Sequence, residues 1–562
     1  MTPRALRVTW VQPEDLVGHE LRQAEEDGRD AAGVRARWLA AGGAPAPDRA
    51  GASGTPAPPG LRALAEELLD ELAALPVPSA PDEPTAWDAI VAACPDWPRV
   101  AAGAPRRDDG PPGRTTDRAP AAGPGRGNTS HGPDRPPAGQ TTPTPYEPTA
   151  PTGRAPRPVA PTGRATPGGQ DLPRDRPGGA PAPHRPPTGP VASAPDARPA
   201  TGSPPERAAP PRLEAALHAA WLGRAAGCLL GKPVEKLPLT GIRALARATG
   251  NWPLGDWFTA RGLPAELAAA YPWNRRSAGT CLAENIDGMP EDDDLDHPLL
   301  ALLLLQRHGR DFATADLAAL WLDELPAGRT FTAERVAYRN LLCGLEPPLT
   351  AVRRNPFREW IGAAIRADVH GWTNPGDPAA AAGQAWRDAV LSHTANGVHS
   401  AMFTAAALAA AAGGTVDVHG ALTAGLSVVP PRSRLARAVR DGIAAARADA
   451  DFDRVVDALH SAYGGYHWVH AVPNAALLAA ALTHADGDFT GSICKAVSAG
   501  LDTDSNGATA GSIAGLLAGS PEALPERWTA PLKNRLATSV AGFDGVGFDT
   551  LARLTLKEAL RP

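Results

Sequence analysis

Apolar positions recur at helical spacing along most of this chain, and the pattern stops in the middle. After residue 211, Ala and Leu dominate stretches such as LEAALHAAWLGRAAGCLLG and HAVPNAALLAAALTHADGD, and runs of β-branched residues are few. Apolar positions that repeat about every 3.6 residues are typical of packed α-helices. The pattern therefore predicts an all-α domain over residues 212–562, long enough to bury a large core.

Glycines repeat at spacings of four in two of these predicted helices. They are Gly223, Gly227 and Gly231 in the first helix, and Gly507, Gly511 and Gly515 in the second. Because glycine has no side chain, a row of glycines on one face lets two helix backbones approach closely. The spacing predicts close helix packing at both places.

A separate helical pattern lies in the first hundred residues, which we assign as a small N-terminal helical region. In LRALAEELLDELAALP the leucines follow one another at spacings of three and four, which puts them on one face of an amphipathic helix. They are Leu61, Leu64, Leu68, Leu72 and Leu75. We expect this face to pack against its own domain, with a dimer or partner surface as the alternative. The sequence leaves open whether residues 1–100 fold separately or dock onto the larger domain.

Residues 101–211 have a different composition, rich in Pro, Gly, Ala, Thr and Arg, and APTGRA occurs twice in them. Such a segment has few apolar side chains to offset the backbone entropy lost on folding, about 1–2 kcal/mol per residue. The composition predicts a long disordered linker between the two helical regions.

Charge and cysteine content narrow the class of protein. The net charge of −6 provides no basic field for nucleic acid or an anionic membrane. The five cysteines form no C-x-x-C pair, which argues against a disulfide framework and a zinc ribbon. The first residues contain no apolar leader, and the longest aliphatic run is too short to span a bilayer. We expect a soluble, cytoplasmic protein.

Two carboxylates stand two positions apart in AGLDTDSNGATAGSIAGLLAG, at Asp502 and Asp504. With Asn506 and the following glycine they match the start of a calcium-binding EF-hand loop. The twelfth position of that loop requires Glu, but it falls on Ile513, so this interpretation fails. What remains is a group of hard oxygen donors, including the Ser505 hydroxyl, at the start of a helix. Helix capping alone would also explain it.

A second acidic cluster makes metal binding the better hypothesis. GMPEDDDLDHPLLALLLL places Glu291, Asp292, Asp293 and Asp294 in a row before a very apolar helix. Adjacent carboxylates repel one another, so two such clusters at helix ends indicate a shared divalent ion or ion pair. Neither cluster contains Cys or His, which favours Mg²⁺, Mn²⁺ or Ca²⁺ over Zn²⁺.

Four motifs in order resemble those of the ADP-ribosylglycohydrolase family. They are AWLGRAAGCLLGKPVE at 220–235, the acidic row at 291–294, DAVLSHTANGVHSAMFTAAALAAA at 388–411 and SAGLDTDSNGATAGSIAGLLAG at 498–519. The resemblance covers residues 212–562 and excludes the N-terminal helices and the linker. It implies a compact all-α fold with two divalent metal ions, Mg²⁺ or Mn²⁺, in a cleft.

The resemblance also assigns site residues. It makes metal ligands of seven residues, namely Glu235, Glu291, Asp292, Asp293, Asp502, Asp504 and Ser505. Glu291 stands where the family usually has Thr or Ser, so a register shifted by one residue, over Asp292, Asp293 and Asp294, is the alternative. The extra carboxylate adds negative charge to the site, which leaves metal preference and substrate open.

The implied reaction is hydrolysis of the glycosidic bond between the distal ribose of an ADP-ribosyl group and its acceptor. The substrate would be an ADP-ribosylated protein or a small ADP-ribosyl compound. Glu235 is the first candidate for the carboxylate that moves the proton, with Asp292 or Asp293 second, and His393 is expected near the substrate. The alternatives are a hydrolase of another nucleotide or nucleoside glycoside, or a non-catalytic protein that binds ADP-ribose or serves as a scaffold.

Overall fold

The computed structural model describes residues 11–48, 50–98 and 212–561. Within these ranges every regular element is a helix, and the only β-type pairings are three isolated bridges. The all-α fold class is therefore confirmed. The predicted linker over 101–211 lies outside the described residues.

Two parts of the chain carry the helices. The N-terminal segment, residues 11–48 and 50–98, contains α1 (Pro13–Glu26), α2 (Ala32–Ala40), α3 (Pro59–Ala74) and α4 (Trp87–Ala93). The C-terminal domain, residues 212–561, begins with α5 (Leu213–Gly231), α6 (Leu239–Ala248), α7 (Ala265–Ala270), α8 (Asp293–His308), α9 (Thr314–Glu324), α10 (Thr332–Leu342), α11 (Leu349–Val352), α12 (Asp368–Trp372) and α13 (Pro378–Ala389). It continues with α14 (Ala395–Ala412), α15 (Val418–Ser427), α16 (Arg434–Ala448), α17 (Phe452–Tyr463), α18 (Ala471–Ala485), α19 (Phe489–Ser498), α20 (Thr503–Ala518), α21 (Glu526–Thr529) and α22 (Phe548–Leu560). Short 3₁₀ turns lie at Ala327–Arg329, Ile361–Arg366, Pro521–Ala523 and Ala530–Leu532.

Helices α5 and α20 pack backbone against backbone along the predicted glycine rows. The contacting pairs are Gly223 with Gly511, Gly227 with Gly507 and Gly231 with Thr503. A methyl group added to Gly227 would lie 1.9 Å from the carbonyl oxygen of Gly507, so no side chain fits there. Residue numbers rise along one helix as they fall along the other, so the two helices are antiparallel. We call this contact the glycine seam, and it confirms the predicted close packing.

The remaining core is built largely from small and aliphatic side chains. Helices α14 and α18 are rich in alanine and buried along most of their length, which allows close helix contacts on several sides. Helix α8 contributes buried leucines such as Leu299 and Leu302. At one side of the seam, the Trp221 ring of α5 lies 4.7 Å from the Trp372 ring of α12, centroid to centroid. This core supports the helix ends at which the acidic residues stand.

The N-terminal segment packs onto the C-terminal domain through an apolar cluster. Leu68 and Leu72 of α3 are fully buried in it, together with Phe357 and Trp360 of the C-terminal domain. The leucine stripe therefore packs within the protein, as expected, and is not a free dimer surface. The two parts belong to one compact unit, which answers the question of docking. The division at residues 100 and 212 stays a prediction.

Buried ion pairs reinforce this contact. Arg358 of the C-terminal domain pairs with Glu20 at 3.0 Å and with Asp27 at 3.2 Å, both in the N-terminal segment. Arg434 pairs with Glu83 of the N-terminal segment at 2.7 Å and with Glu359 at 2.8 Å. The N-terminal segment is thus held by charged side chains as well as by apolar ones.

The structure bears on two features that the sequence analysis considered, membrane-spanning segments and disulfide bonds. Among the described helices, none combines the length and apolar character that crossing a membrane requires. All five cysteines lie in the described ranges and are free.

Candidate metal centre

The acidic residues gather where the glycine seam ends. Because α5 and α20 run antiparallel, the last turn of α5 lies beside the first turn of α20. Glu235 follows α5 in a short turn, while Asp502 is the N-cap of α20 and Asp504 lies in its first turn. The seam thus brings together carboxylates that are far apart in the sequence.

Glu235, Asp502 and Asp504 form the first carboxylate group, since each offers an oxygen within 4.8 Å of the others. One Glu235 oxygen accepts a hydrogen bond from the Asn274 amide at 2.7 Å, and the other pairs with Lys236 at 2.6 Å. In the described part of the chain, neither Asp502 nor Asp504 has a Lys or Arg partner within 4.0 Å. Two buried carboxylates without such a close partner, on which the charges of Lys232 and Lys236 act only from farther away, make this group a strong candidate for a divalent cation.

The proximity of these carboxylates changes their acidity. Burial, followed by the charge of Asp504, raises the pKa of Glu235 to about 7. The same two causes raise the pKa of Asp502 well above its ordinary value. A bound cation would remove the repulsion that causes part of both shifts.

The second carboxylate group consists of Cys228, Asp292 and Asp294, and it lies at the start of α8. Asp292 is the N-cap of that helix, and one of its oxygens accepts a hydrogen bond from the Asp294 backbone N–H at 3.0 Å. The Cys228 sulfur lies 3.4 Å from the same Asp292 oxygen and 3.8 Å from an oxygen of Asp294. A thiol thus stands among the hard oxygen donors.

Two basic side chains already neutralise this second group. The Lys232 ammonium forms an ion pair with the free oxygen of Asp292. The Arg224 guanidinium pairs with Asp294 at 3.2 Å and with Asp368 at 2.8 Å. Burial by itself lowers the pKa of Lys232, but its neighbours, Cys228 and Asp504 first, raise it on balance above the ordinary value.

Asp293 and Ser505 connect the two groups. Burial and then the charge of Asp504 raise the pKa of Asp293 to about 6, so Asp293 lies within the field of the first group. The Ser505 hydroxyl lies 3.5 Å from an oxygen of Asp294. All of these residues therefore belong to one continuous site.

Most of the predicted ligands meet at this site, with one departure. The structure brings together Glu235, Asp292, Asp293, Asp502, Asp504 and Ser505. Glu291 instead pairs with Arg329 at 2.6 Å through one oxygen, while its other oxygen is buried without a hydrogen-bond partner among the described residues. Asp294 takes a place at the site, in the register that the sequence left as the alternative. Sequence reasoning did not single out Cys228 and Lys232, although both lie within the motif at 220–235.

His393 lies in a different buried network. One ring nitrogen is 2.8 Å from the Ser392 hydroxyl, and the other is 3.9 Å from an oxygen of Glu334. Burial, followed by the charge of Arg366, lowers the pKa of His393 well below its ordinary value, so the ring is neutral. No contact joins His393 to either carboxylate group among the described residues. Its predicted role in substrate binding stays a prediction.

The donor chemistry fits a divalent cation at the first carboxylate group. Its ligands are all carboxylate oxygens, which suit Mg²⁺ and Mn²⁺, and they come from two helix ends held in fixed register. The carboxylates of the second group already pair with the basic side chains of Arg224 and Lys232, so they are less available to a metal ion.

Two comparisons with known proteins found a match. A family model described as ADP-ribosylglycohydrolase matches residues 209–559. A solved structure named as an ADP-ribosylglycohydrolase-related protein complex is 20% identical and matches 62% of this chain and 99% of its own, with a TM-score of 0.39. None of the curated proteins matches this chain.

Proposed function

Because the chain belongs to the ADP-ribosylglycohydrolase family, we propose that it is a metal-dependent hydrolase that removes ADP-ribosyl groups from an acceptor. The bond cleaved is the glycosidic bond of the distal ribose, and the substrate is an ADP-ribosylated protein or a small ADP-ribosyl compound. The observation that carries the proposal is the first carboxylate group, in which two buried aspartates have no Lys or Arg within 4.0 Å among the described residues. Such a group has the composition of a Mg²⁺ or Mn²⁺ site.

Glu235, Asp502 and Asp504 would hold the cation. When bound, a divalent cation in such a site supplies an activated water and binds substrate hydroxyl groups. The chain's own residues orient the reacting groups and transfer protons. Asn274 holds one oxygen of Glu235 in place, which positions this carboxylate to take a proton from the attacking water.

The structure distinguishes between Asp292 and Asp293 as the second candidate for proton transfer. Both oxygens of Asp292 are engaged, one at the start of α8 and the other with Lys232. The oxygens of Glu235 are likewise engaged, with Asn274 and Lys236, so this criterion ranks only Asp293 against Asp292. Asp293 has no Lys or Arg partner within 4.0 Å in the described part of the chain. We therefore assign Asp293, ahead of Asp292, as the second carboxylate that handles protons.

An aromatic groove supports a nucleotide substrate. A cavity of about 150 Å³ is lined by Tyr463, Tyr466, Trp468 and Leu501, and Leu501 directly precedes the ligand Asp502. The Lys236 ammonium lies 5.7 Å from the Trp468 ring centroid, so the groove adjoins the first carboxylate group. Aromatic faces of this kind stack well on flat rings such as a nucleobase.

The proposal is tested by following release of free ADP-ribose from an ADP-ribosylated peptide by the full chain. Asp504→Asn removes one charge from the first carboxylate group, and we expect it to lower kcat/KM by a factor of about 100 or more. Chelation should have the same effect on the unaltered protein. The matched control is Asp549→Asn, which changes an aspartate in the first turn of a different helix, α22, far from the acidic clusters in sequence.

The outcomes separate the possible functions. Turnover that survives both chelation and Asp504→Asn would contradict the metal-dependent mechanism. Binding of ADP-ribose without any release from the peptide, measured by calorimetry, would indicate a binding protein instead of an enzyme.

A further inference from the structure

Lys232 holds an unusual position for a lysine. Its ammonium group pairs with Asp292 inside the second carboxylate group, and its side chain is only 12% exposed. Lysine is rarely buried to this extent unless a carboxylate neutralises it. The residue directly follows Gly231, where the glycine seam brings the backbone against Thr503. The seam therefore fixes the point from which the Lys232 side chain extends.

The two carboxylate groups differ in how their charge is balanced. In the second group, Lys232 pairs with Asp292 and Arg224 pairs with Asp294, so each carboxylate has a basic partner supplied by the chain. In the first group, the close ion pair among the described residues is that of Lys236 with Glu235, and the Lys236 side chain is 36% exposed. Asp502 and Asp504 have no such partner within 4.0 Å among the described residues.

A second divalent ion at the Asp292 carboxylate would meet an existing positive charge. The ammonium already contacts the Asp292 oxygen that is not used in capping α8. Like charges at such a separation repel strongly in a buried site, where water screens them poorly. Metal binding there would require Lys232 to leave and to be solvated elsewhere.

We infer that the Lys232 ammonium takes the place of one of the two metal ions that the family resemblance implies, so that this chain binds a single divalent ion at Glu235, Asp502 and Asp504. The inference rests on the proposed function only in placing a metal at the first carboxylate group. The lysine supplies one positive charge and N–H donors at the second group, where a metal would supply two charges and open coordination positions. Lys232 thus positions the Asp292 carboxylate and supplies one positive charge to the second carboxylate group.

The test is a calorimetric titration of MnCl₂ into the metal-free full chain, with electron paramagnetic resonance of the loaded protein. The unaltered chain should bind one Mn²⁺ and give the spectrum of an isolated ion. Lys232→Met removes the ammonium and keeps the apolar stem, so we expect it to bind two Mn²⁺. Ions that share carboxylates at about 3.5–4 Å should then show magnetic coupling.

Lys236→Met is the matched control, because it removes a neighbouring lysine that pairs with the first group instead of the second. It should still bind one ion. Two ions in the unaltered chain would overturn the inference while leaving the proposed function intact, and this result is decisive even if Lys232→Met fails to fold. One ion in both the unaltered chain and a folded Lys232→Met variant would also overturn it. No Mn²⁺ binding by the unaltered chain would contradict the proposed function itself.

Discussion

The glycine seam and the contact between the N-terminal segment and the C-terminal domain are built from different kinds of groups. The glycine seam between α5 and α20 has backbone against backbone, with no room for a side chain at Gly227. The contact between the N-terminal segment and the C-terminal domain is made of aromatic rings, histidines and buried ion pairs, such as that of Arg434 with Glu83. The seam has no group that can gain or lose a proton. The second contact has several and therefore responds to pH and charge, whereas the titratable groups near the seam stand only at its end, in the first carboxylate group.

The difference suggests different roles. The seam sets the relative positions of the carboxylates of Glu235, Asp502 and Asp504, so a change in the seam should disturb this group directly. The N-terminal segment meets the domain at residues such as Phe357 and Trp360, and weakening this contact should loosen the segment while leaving the seam in place. Three substitutions test this comparison, from the largest expected effect to the smallest.

Gly227→Val should have the largest effect. Its Cβ would lie 1.9 Å from the carbonyl oxygen of Gly507, and backbone cannot move aside as a flexible side chain can. We expect a loss of more than about 5 kcal/mol in the free energy of unfolding, and no cooperative thermal transition of the native domain.

The control for this substitution is Gly33→Ala, which changes a helical glycine with no neighbouring atom within 4 Å of the added methyl group. It should raise stability by up to about 1 kcal/mol, because alanine favours the helix. A folded Gly227→Val protein of unchanged stability would contradict the description of the seam.

Arg434→Met should have an intermediate effect, confined to the N-terminal segment. The substitution leaves Glu83 and Glu359 buried without their shared partner, and it removes a hydrogen bond to the Glu26 carbonyl. Breaking a buried pair in this way costs about 3–5 kcal/mol. We expect amide hydrogen exchange in α1 and α3 to accelerate about a hundredfold or more, while exchange in α5 and α20 stays slow.

Arg37→Met is the matched control, since Arg37 pairs with Glu67 and Glu71 at the exposed surface of the same segment. Exposed pairs of this kind contribute little, so exchange in α1 and α3 should hardly change. Equal acceleration in α20 after Arg434→Met would show that the two contacts are not independent.

His19→Phe should have the smallest effect, visible only as a change in pH dependence. The His19 ring is buried against Phe357, Trp360 and His467. Burial, followed by the charge of Arg22 and opposed by that of Asp15, lowers the pKa of His19 to about 4. Below pH 6.5 the unfolded chain takes up a proton that the folded chain refuses, so stability falls as the pH falls towards 4.

Neighbouring groups add to this dependence and oppose it. Burial lowers the pKa of His467 to about 3, which acts in the same direction as His19. Burial raises the pKa of Glu26 to about 7, so this carboxyl stabilises the folded state more as the pH falls from 7 to 4.5. Removing His19 should reduce the slope of unfolding free energy against pH by up to about 1.4 kcal/mol per pH unit between pH 6 and 4.5. Denaturant unfolding at several pH values measures this, and an unchanged slope would contradict it.

The sequence predicted close packing at each glycine row and the two acidic clusters because local spacing determines them, but it did not predict that α5 packs against α20. Glycines four residues apart, and Asp502 with Asp504 at the start of α20, need no knowledge of the remaining chain. The register of the second cluster was different, because it depends on where α8 begins. Asp292 caps that helix, which leaves Glu291 outside it and facing Arg329. A row of four carboxylates contains no signal for which one becomes the cap.

Contacts between distant residues explain what else was missed. Lys232 and Asp292 meet only in the folded protein, so the counter-ion at the second carboxylate group had no pattern in the sequence. The docking of the N-terminal segment depends in the same way on Arg358 and Arg434 of the C-terminal domain. Helical periodicity predicts that an apolar face is covered, but not which residues cover it.

The glycine seam also determines the distances between the carboxylates of the site. Helices that interlock through glycines spaced by four can slide only in steps of about four residues, which is about 6 Å. A Mg²⁺–oxygen distance is about 2.1 Å and tolerates little variation. One step along the seam would therefore separate Glu235 from Asp502 and Asp504 beyond the reach of any single ion. The register of α5 against α20 can therefore take only discrete values. One register brings the three carboxylates together, and in every other register they are too far apart to share an ion.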